Sequence, residues 1–481
     1  MIAVEDKCIE GIERRGKVYY MRWRVPARYA AVEKRKEINR SLKTRDIIEA
    51  KANLAVAQRS LLADWDFRLK EARGETTPET FDAALEMLRE IGVPYRPQKE
   101  LLADPIEKLL ARIEALEKTD TQSAMVPAVL GALDYPPVNF SEMVSIIEET
   151  NKANLAGKNG RQLDEWRNKY KHAAKSFCEI VGDKPVLEIT EQDAMKYKRH
   201  WLTRRDSGEI STNHADKRLR FARQLVDAFY NRFDMPNSER KNPFKELKIE
   251  KTASEDNTPK KLSLPVTWIK HHLIDQNGLE GLNEQARDIA TISAECGCRQ
   301  SEIFDLPPDA IHLDHEFPHI QLAPESSGKY KRQIKNAASK RPVMLHGAAL
   351  EAMKRHPKGF DRYRGKKTYP GTVNNYLKDR KLFPEVADGM AGKYTLSCTR
   401  HTFEDRMTKA KMTNEERAYL MGHSVGAVRG RPVYGSMPDL ELRALYQEMV
   451  AFPTASWSPR SIQTLRAEID RLAEEQGFRV S

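Results

Sequence analysis

The chain has 481 residues, a length at which about three domains are expected, each able to bury its own core. Lysine and arginine total 81 against 70 acidic residues, and the resulting net charge of +11 favours a polyanionic partner. Five scattered cysteines without a Cys-x-x-Cys pair exclude a disulfide framework and favour a reducing compartment. The first residues do not read as a secretory signal. No run of about twenty apolar residues occurs, so no membrane span is predicted.

The N-terminal segment, residues 1–73, is predicted to be a small sheet closed by a helix. VYYMRWRV and EINRSLKT alternate apolar with basic or polar residues, which indicates strands with a basic outer face. Arg22 and Arg24 on that face are candidate DNA contacts, with an ordinary solvated face as the alternative. A helix is predicted from Asp46 to Arg73 with one apolar side, formed by Ile47, Ala50, Leu54, Ala57, Leu61 and Trp65.

The middle of the chain is predicted to be helical. Residues 74–139 carry two helical patterns and then an unpatterned, proline-containing stretch from 119 to 139, which indicates a helical connector and linker of unassigned function. Residues 140–250 contain four helical patterns, and the last has a basic side that can lie on a phosphate backbone. The candidate DNA-contacting residues there are Lys217, Arg218, Arg220 and Arg223. The polar segment 251–261 is predicted to be a hinge.

Residues 262–452 mix helices with short strands in HIQLAP and RPVML, and Lys335 is expected near a strand end. A final helix is predicted in 453–481. Its narrow apolar seam consists of Ile462, Leu465, Ile469 and Leu472. We expect this seam to dock on a neighbouring protomer as an oligomerisation helix, with packing against its own chain as the alternative. The predicted fold class is mainly α with small β-sheets (α+β).

Basic residues and one tyrosine recur in a fixed order towards the C-terminus. Arg299 lies in ECGCRQSEIFDL, Lys335 in IKNAASKRPVML, Arg400 in SCTRHTFEDRM, His423 in LMGHS and Tyr434 in PVYGS. The arginine fork matches phosphate oxygens in a bidentate manner, and lysine is a compact donor that can deliver a proton. A tyrosine that attacks phosphorus leaves a covalent phosphotyrosine. These residue types are what a protein needs to grip and cut a phosphodiester.

The motifs resemble those of the tyrosine recombinases, the phage integrase family. The resemblance rests on Gly297-x-Arg299 followed by Ser301 and Glu302, on Arg400-His401-Thr402-Phe403, on Gly422-His423-Ser424 and on Tyr434-Gly435, with Lys335 upstream of Arg341. The helical block ending in Asn242-Pro243-Phe244 resembles the core-binding domain of that family. The segment from YYMRWRVPARY to NRSLKTRD resembles its arm-type module. The resemblance therefore covers most of the chain and implies a mixed α/β recombinase catalytic domain.

The resemblance also implies roles for individual residues. Arg299 and Arg400 would clamp the scissile phosphate, and His423 would donate a hydrogen bond to it. Lys335 would protonate the leaving 5′-oxygen, with Lys331 and Lys340 as alternatives in the same loop. Tyr434 would be the nucleophile, and the rivals Tyr446 and Tyr419 do not lie at the expected spacing after Gly422-His423. Glu302 would orient the groups that contact the phosphate, with a surface salt bridge as the alternative.

One position departs from the family pattern. Tyrosine recombinases usually have a histidine three residues before the second arginine, and this chain has Ser397 there. A serine donates one hydrogen bond but carries no charge near neutral pH. His401 follows Arg400 directly and would point elsewhere if both residues lie on a helix, so it is a weak substitute.

The resemblance implies a site-specific DNA recombinase, the integrase of a phage or other mobile element, that works through a 3′-phosphotyrosine. It implies double-stranded DNA with core and arm sites as partner, four protomers on DNA, and leaves an accessory DNA-bending protein open. The expected location is the bacterial cytoplasm, with the protein on the nucleoid when bound to DNA. Neither a phosphate-binding loop nor a cluster of metal ligands appears in the sequence, so no cofactor is expected. The alternatives are a catalytically silent DNA-binding descendant and a type IB topoisomerase.

Overall fold

The computed structural model describes residues 11–71, 77–90, 92–93, 95–117, 125–251, 262–334, 336–387, 392–423 and 439–475. Over these residues the chain is mainly helical, with two small antiparallel sheets, as the sequence predicted. None of the helices within these ranges is long and apolar enough to cross a membrane. The predicted hinge, residues 251–261, lies outside the described residues except for Lys251.

The N-terminal sheet consists of β1 (Ile12–Arg15), β2 (Val18–Arg24) and β3 (Glu37–Ser41) in sequential order. The two predicted strands are confirmed, and β1 is an additional one. Helix α1 (Ile47–Glu71) covers one face of the sheet. Trp65 is fully buried there and stacks on Trp23, with ring centroids 5.4 Å apart. The predicted apolar side of the helix is therefore the side that closes this small core.

The remaining helices up to residue 250 form the helical part predicted for the middle of the chain. They are α2 (Pro78–Glu90), α3 (Gln98–Leu101), α4 (Ile106–Glu117), α5 (Met125–Val129), α6 (Met143–Thr150), α7 (Lys152–Leu155), α8 (Gly160–Val181), α9 (Glu191–Asp206) and α10 (Thr212–Arg232). The unpatterned stretch from 119 to 139 contains α5, which the sequence analysis missed because five residues show no period. Thr190 and Ser211 cap α9 and α10 through side-chain oxygens that accept backbone N–H groups.

The C-terminal part is built around one buried helix. Its helices are α11 (Val266–Ile269), α12 (Glu284–Cys296), α13 (Gln300–Phe304), α14 (Gly347–Arg355), α15 (Thr368–Asp379), α16 (Thr399–Lys409), α17 (Asn414–Met421), α18 (Leu440–Glu448) and α19 (Ile462–Glu475). Helix α12 is buried along nearly its whole length and packs against α13, α14 and α16. The second sheet has β4 (Ile311–His312), β5 (His319–Leu322) and β6 (Arg341–Met344) in sequential order.

The chain divides into two compact units. The first comprises residues 1–150 and 170–249, and the second comprises residues 151–169 and 250–481. Helix α8 contributes its first ten residues to the second unit and the remainder to the first. The finer division into segments 1–73, 74–139, 140–250, 262–452 and 453–481 stays a prediction.

The C-terminal helix packs against its own chain. Leu465 is fully buried and Leu472 is nearly so, in a cluster that includes Phe403, Met407 and Leu445 from α16 and α18. Arg466 also forms a two-pronged ion pair with Glu416 of α17. Three of the four seam residues, Leu465, Ile469 and Leu472, thus pack within the same chain, the alternative that the sequence left open, whereas Ile462 is exposed.

Candidate active site

A tight turn between α12 and α13 presents Arg299. Gly297 ends α12 with φ of 63°, in the left-handed region that favours glycine. A side chain at this position would also overlap the ring of Phe403. Arg299 then stands at the N-cap of α13, where Glu302 accepts the Arg299 backbone N–H at 2.9 Å. The local sequence Gly-Cys-Arg-Gln-Ser-Glu therefore fixes both the turn and the start of the next helix.

Glu302 is the carboxylate around which the arginines gather. Its Oε1 lies 2.6 Å from Arg299 Nη1, and its Oε2 lies 3.4 Å from Arg341 Nη2. Burial alone would raise the pKa of Glu302, but the charge of Arg341 and the bonds from Arg299 outweigh it, so the pKa is lowered. Glu302 is thus an anion in the folded chain and pairs with both Arg299 and Arg341, while its role in orienting groups that contact a phosphate stays a prediction.

Arg341 belongs to this group of side chains, although the sequence analysis named it only to give the position of Lys335. Its side chain is fully buried, and Nε donates to the Leu420 carbonyl oxygen at 2.9 Å. It thereby ties β6 to the end of α17, where Gly422, with φ of 62°, leaves no room for a side chain beside the guanidinium. A buried arginine on a strand of four residues has no periodic signal, so only its contacts reveal it.

Arg400 lies on the first turn of α16 and contacts both ends of the site. Its Nη1 donates to the Gly297 carbonyl oxygen, and its Nη2 donates to the Met421 carbonyl oxygen at 2.5 Å. His423 Nε2 is 3.2 Å from Arg400 Nη2. The residues of three separate motifs, around 297, 400 and 423, are therefore brought into one place by the fold.

The site carries more positive than negative charge. The guanidinium groups of Arg299, Arg341 and Arg400 surround the carboxylate of Glu302. Burial, followed by the charge of Arg299, lowers the pKa of Arg400 to about 10. A buried cation is costly to keep charged, and a neighbouring anion stabilises it. The arrangement therefore suits a phosphate group.

A cavity of about 310 Å³ opens beside these arginines. Its wall includes Arg161, Arg299, Ser397, Thr399 and Arg400. Ser397 is exposed on the short 3₁₀ turn Leu396–Cys398 that leads into α16. His401 Nδ1 instead lies 3.3 Å from the Leu262 carbonyl oxygen and does not line this cavity.

The remaining catalytic candidates are placed as follows. Lys335 and Tyr434 lie outside the described residues. Of the rival nucleophiles, Tyr446 is buried in the cluster around Leu465, and burial raises its pKa to about 12. Tyr419 lies on α17, where its carbonyl oxygen accepts from Arg443. Lys340 is exposed and Lys331 is half-buried.

The candidate DNA-contacting residues belong to the first unit. Arg22 and Arg24 are exposed on β2, and Arg22 Nε donates to Glu37 at 2.6 Å. On α10, Lys217 and Arg220 are exposed. The Arg220 guanidinium lies over the Phe221 ring, that of Arg218 lies over the Trp201 ring, and Arg223 donates to the Lys245 carbonyl oxygen.

One group of side chains has the composition of a metal site. Glu284, Asp288 and His356 bring ligand atoms within 4.8 Å of one another. Asp288, however, already accepts two hydrogen bonds from Arg355, at 2.9 and 2.6 Å, and one from Gln276 at 3.0 Å. Its lone pairs are occupied by donors, so the group is an ion-pair network under α14.

Comparison with known proteins gives a match to one family and matches to solved structures. Residues 11–69 match DUF6538, a domain of unknown function. No curated protein matches the chain. Among solved structures, the chain is similar to the Tn1549 transposon integrase in complex with transposon right end DNA, with 19% identity and a TM-score of 0.39, over 69% of this chain and 99% of that one.

Two further solved structures are similar over comparable or longer stretches. One is a lambda integrase tetramer bound to a Holliday junction, with 13% identity and a TM-score of 0.42, over 89% of this chain and 99% of that one. The other is the XerA recombinase, with 15% identity and a TM-score of 0.24, over 69% of this chain and 97% of that one. These three structures are thus two integrases and a recombinase.

Proposed function

We propose that this chain is a tyrosine recombinase, a site-specific enzyme that cuts and rejoins double-stranded DNA. The observation that carries the proposal is the gathering of Arg299, Arg400 and His423 beside a cavity. Glu302 holds the guanidinium group of Arg299, and the carbonyl oxygens of Gly297 and Met421 hold that of Arg400. Donors fixed before the substrate arrives stabilise the charge that grows on phosphorus oxygens in the transition state. Tyr434 is the proposed nucleophile and Lys335 the proposed acid, both on the basis of the motif order in the sequence.

In the proposed reaction the Tyr434 phenol oxygen attacks the phosphorus and forms a new P–O bond while the P–O5′ bond breaks. The phenol gives its proton to water, and the leaving 5′-oxygen takes a proton from the Lys335 ammonium group. The products are a 3′-phosphotyrosine and a free 5′-hydroxyl. Attack by a 5′-hydroxyl of another strand reverses these steps and rejoins the DNA. The proposed reaction therefore requires neither nucleotide hydrolysis nor a cofactor.

We further propose that the partner DNA contains core and arm sites and that four protomers assemble on it. The exposed basic residues of β2 and α10 support this proposal because they lie on separate elements that can contact separate stretches of backbone. An integrase of a phage or other mobile element, acting in the bacterial cytoplasm with or without a DNA-bending protein, is the corresponding biological setting. Cys178, Cys296, Cys298 and Cys398 are free thiols, which agrees with a reducing compartment.

Tyr434→Phe tests the proposed nucleophile. The variant keeps the ring and loses only the attacking oxygen, so we expect DNA binding to be retained and covalent adduct formation to be abolished. The measurement is trapping of a nicked core-site duplex, scored as labelled protein that resists boiling detergent. Tyr446→Phe and Tyr419→Phe are matched controls that should trap DNA as the wild type does.

Adduct trapping separates an enzyme from a silent binder, and assays of relaxation and strand exchange separate the two enzyme classes. A chain that binds the duplex without any adduct is a silent DNA-binding protein. Adduct formation with relaxation of supercoiled DNA but no strand exchange between two sites indicates a type IB topoisomerase. A Tyr434→Phe variant that still traps DNA contradicts the assignment of the nucleophile.

A further inference from the structure

Gln333 is held by a set of hydrogen bonds from the start of α8. Gln162 Oε1 accepts the Gln333 backbone N–H at 3.0 Å, and Gln162 Nε2 donates to the Gln333 carbonyl oxygen at 2.7 Å. One side-chain amide thus satisfies both backbone groups of Gln333, as a neighbouring β-strand would. Both residues belong to the second compact unit.

The Gln333 side chain is fixed by the same segment. Lys158 Nζ donates to Gln333 Oε1 at 2.5 Å, and Gln333 Nε2 donates to the Asn154 carbonyl oxygen at 3.0 Å. Gly157 lies directly against it, and a Cβ there would come within 2.9 Å of Gln333 Nε2. We call Asn154, Lys158 and Gln162 the clasp residues.

Arg332, the residue before Gln333, is bonded to the candidate active site. Arg332 is buried, and its guanidinium donates to the Ala323 carbonyl oxygen at 3.2 Å and to the Glu302 carbonyl oxygen at 3.4 Å. Arg332 also exchanges both backbone hydrogen bonds with Glu325, each at 2.9 Å. The backbone at 332 and 333 is therefore fixed both to the residue that supports Arg299 and to the clasp residues.

We propose that the clasp residues, Gln162 above all, position the loop that delivers Lys335 to the leaving oxygen, an inference that rests on the proposed function. Lys335 itself lies outside the described residues, but it follows Gln333 by only two positions in the sequence. Gln162 is a positioning residue because it acts through the backbone of the loop and not on the phosphate.

If Gln162 helps to deliver the proton from Lys335, its loss has a consequence that would not follow if Gln162 only stabilised the fold. An alkoxide is a poor leaving group and needs the proton from Lys335, whereas a thiolate leaves without one. If Gln162 serves the delivery of that proton, its loss should slow cleavage of an ordinary 5′-oxygen linkage only. Replacing the bridging 5′-oxygen by sulfur should restore the rate.

The experiment is single-turnover cleavage of two nicked core-site duplexes, identical except for oxygen or sulfur at the bridging 5′ position. Gln162→Ala is expected to cleave the oxygen substrate slower than the wild type by a factor on the order of ten or more, and the sulfur substrate at nearly the wild-type rate. Lys335→Ala should show the same pattern with a larger deficit. Gln162→Glu keeps the acceptor but loses the donor to the Gln333 carbonyl oxygen, so it should show the same selective deficit.

Asn159→Ala is the matched control. Asn159 Oδ1 accepts the Gln162 backbone N–H at 2.9 Å and so caps α8 without contacting Gln333. We expect this variant to cleave both substrates as the wild type does. A deficit in Asn159→Ala equal to that of Gln162→Ala would assign the effect to the cap and overturn the proposal.

Other outcomes separate this inference from the proposed function. If the wild type cleaves and sulfur rescues Lys335→Ala, but Gln162→Ala is unimpaired or equally slow on both substrates, only the role of the clasp residues is wrong. If the wild type forms no adduct with either substrate, the proposed function fails and this inference fails with it.

Discussion

Ser397 lies on the wall of the cavity that also contains Arg299 and Arg400. It is exposed, and the short turn that carries it runs directly into α16. A serine hydroxyl can donate one hydrogen bond to a phosphate oxygen, but it adds no charge. The loss of one charge-assisted donor is worth on the order of 1 to 3 kcal/mol of transition-state stabilisation. The position is therefore compatible with a complete but slow site.

Ser397→His should raise the cleavage rate on a nicked substrate. A histidine there would place a charge-assisted donor beside the phosphate, with a gain of about tenfold in rate for each 1.36 kcal/mol regained. The measurement is the single-turnover rate of covalent adduct formation, with Ser397→Ala as the matched control that removes the hydroxyl.

His401→Ala tests the rival explanation, in which His401 has taken over the missing role. Its ring lies next to the Leu262 carbonyl oxygen and outside the cavity wall, so we expect little effect on cleavage. Equal rates for wild type and Ser397→His, together with a severe loss in His401→Ala, would count against the role given to Ser397.

Residues within short motifs could be predicted from the sequence, and residues joined by distant contacts could not. Arg299 and Glu302 are three positions apart, so the sequence itself indicates the helix start that pairs them. Arg341 contacts Leu420, and Arg161 reaches Asp305 at 2.6 Å across 144 positions. Such pairs depend on tertiary packing, for which neither periodicity nor spacing carries a signal.

At the scale of elements, periodicity predicted where a face is buried but not what covers it. The seam of α19 repeats at three and four residues, and Leu465 and Leu472 are buried as that repeat requires. Ile462, at the start of the seam, is 42% exposed. The same pattern fits a helix of the same chain or of another protomer, so only the structure distinguishes them.

Helix α12 contains a buried carboxyl group whose titration should affect stability. Glu295 Oε1 accepts the Phe452 backbone N–H at 2.7 Å, and Oε2 lies 3.6 Å from Arg406 Nη2. Burial raises the pKa of Glu295 to about 7, and Arg406 offsets only part of that effect. The folded chain therefore binds a proton at this site that the unfolded chain has lost above its ordinary pKa of 4.5.

The sign of the pH dependence follows from the raised pKa. The contribution of Glu295 is fully present below pH 4.5 and is lost as the pH rises towards about 7. We expect the free energy of unfolding of the wild type, relative to Glu295→Gln, to fall by up to about 3 kcal/mol across that window and to stay level above it. Denaturant unfolding of both proteins at pH 5 and pH 8 checks this, and parallel pH profiles would contradict it.

For the whole molecule, the net charge of +11 is consistent with DNA binding but does not locate the contacts. The basic residues predicted on α10 differ in their surroundings. Lys217 and Arg220 are exposed, although the Arg220 guanidinium lies over the Phe221 ring. Arg218 and Arg223 are half-buried, the first over the Trp201 ring and the second bonded to a backbone oxygen. A phosphate contact releases counterions from DNA, so it is measured by the salt dependence of binding and not by affinity at one salt concentration.

Lys217→Ala and Arg220→Ala should each weaken DNA binding and lower the slope of log K against log salt by about 0.9, the value for one phosphate contact on B-form DNA. The control is Lys175→Ala, which removes an exposed lysine of α8 that pairs with Glu179 and is not among the predicted contacts. The measurement is equilibrium binding to a core-site duplex over a range of salt concentrations. Because the Arg218 guanidinium lies over the Trp201 ring, Arg218→Ala should also reduce thermal stability, which Lys217→Ala should not do. Slopes for Lys217→Ala and Arg220→Ala that equal that of Lys175→Ala would remove α10 from the DNA-binding surface.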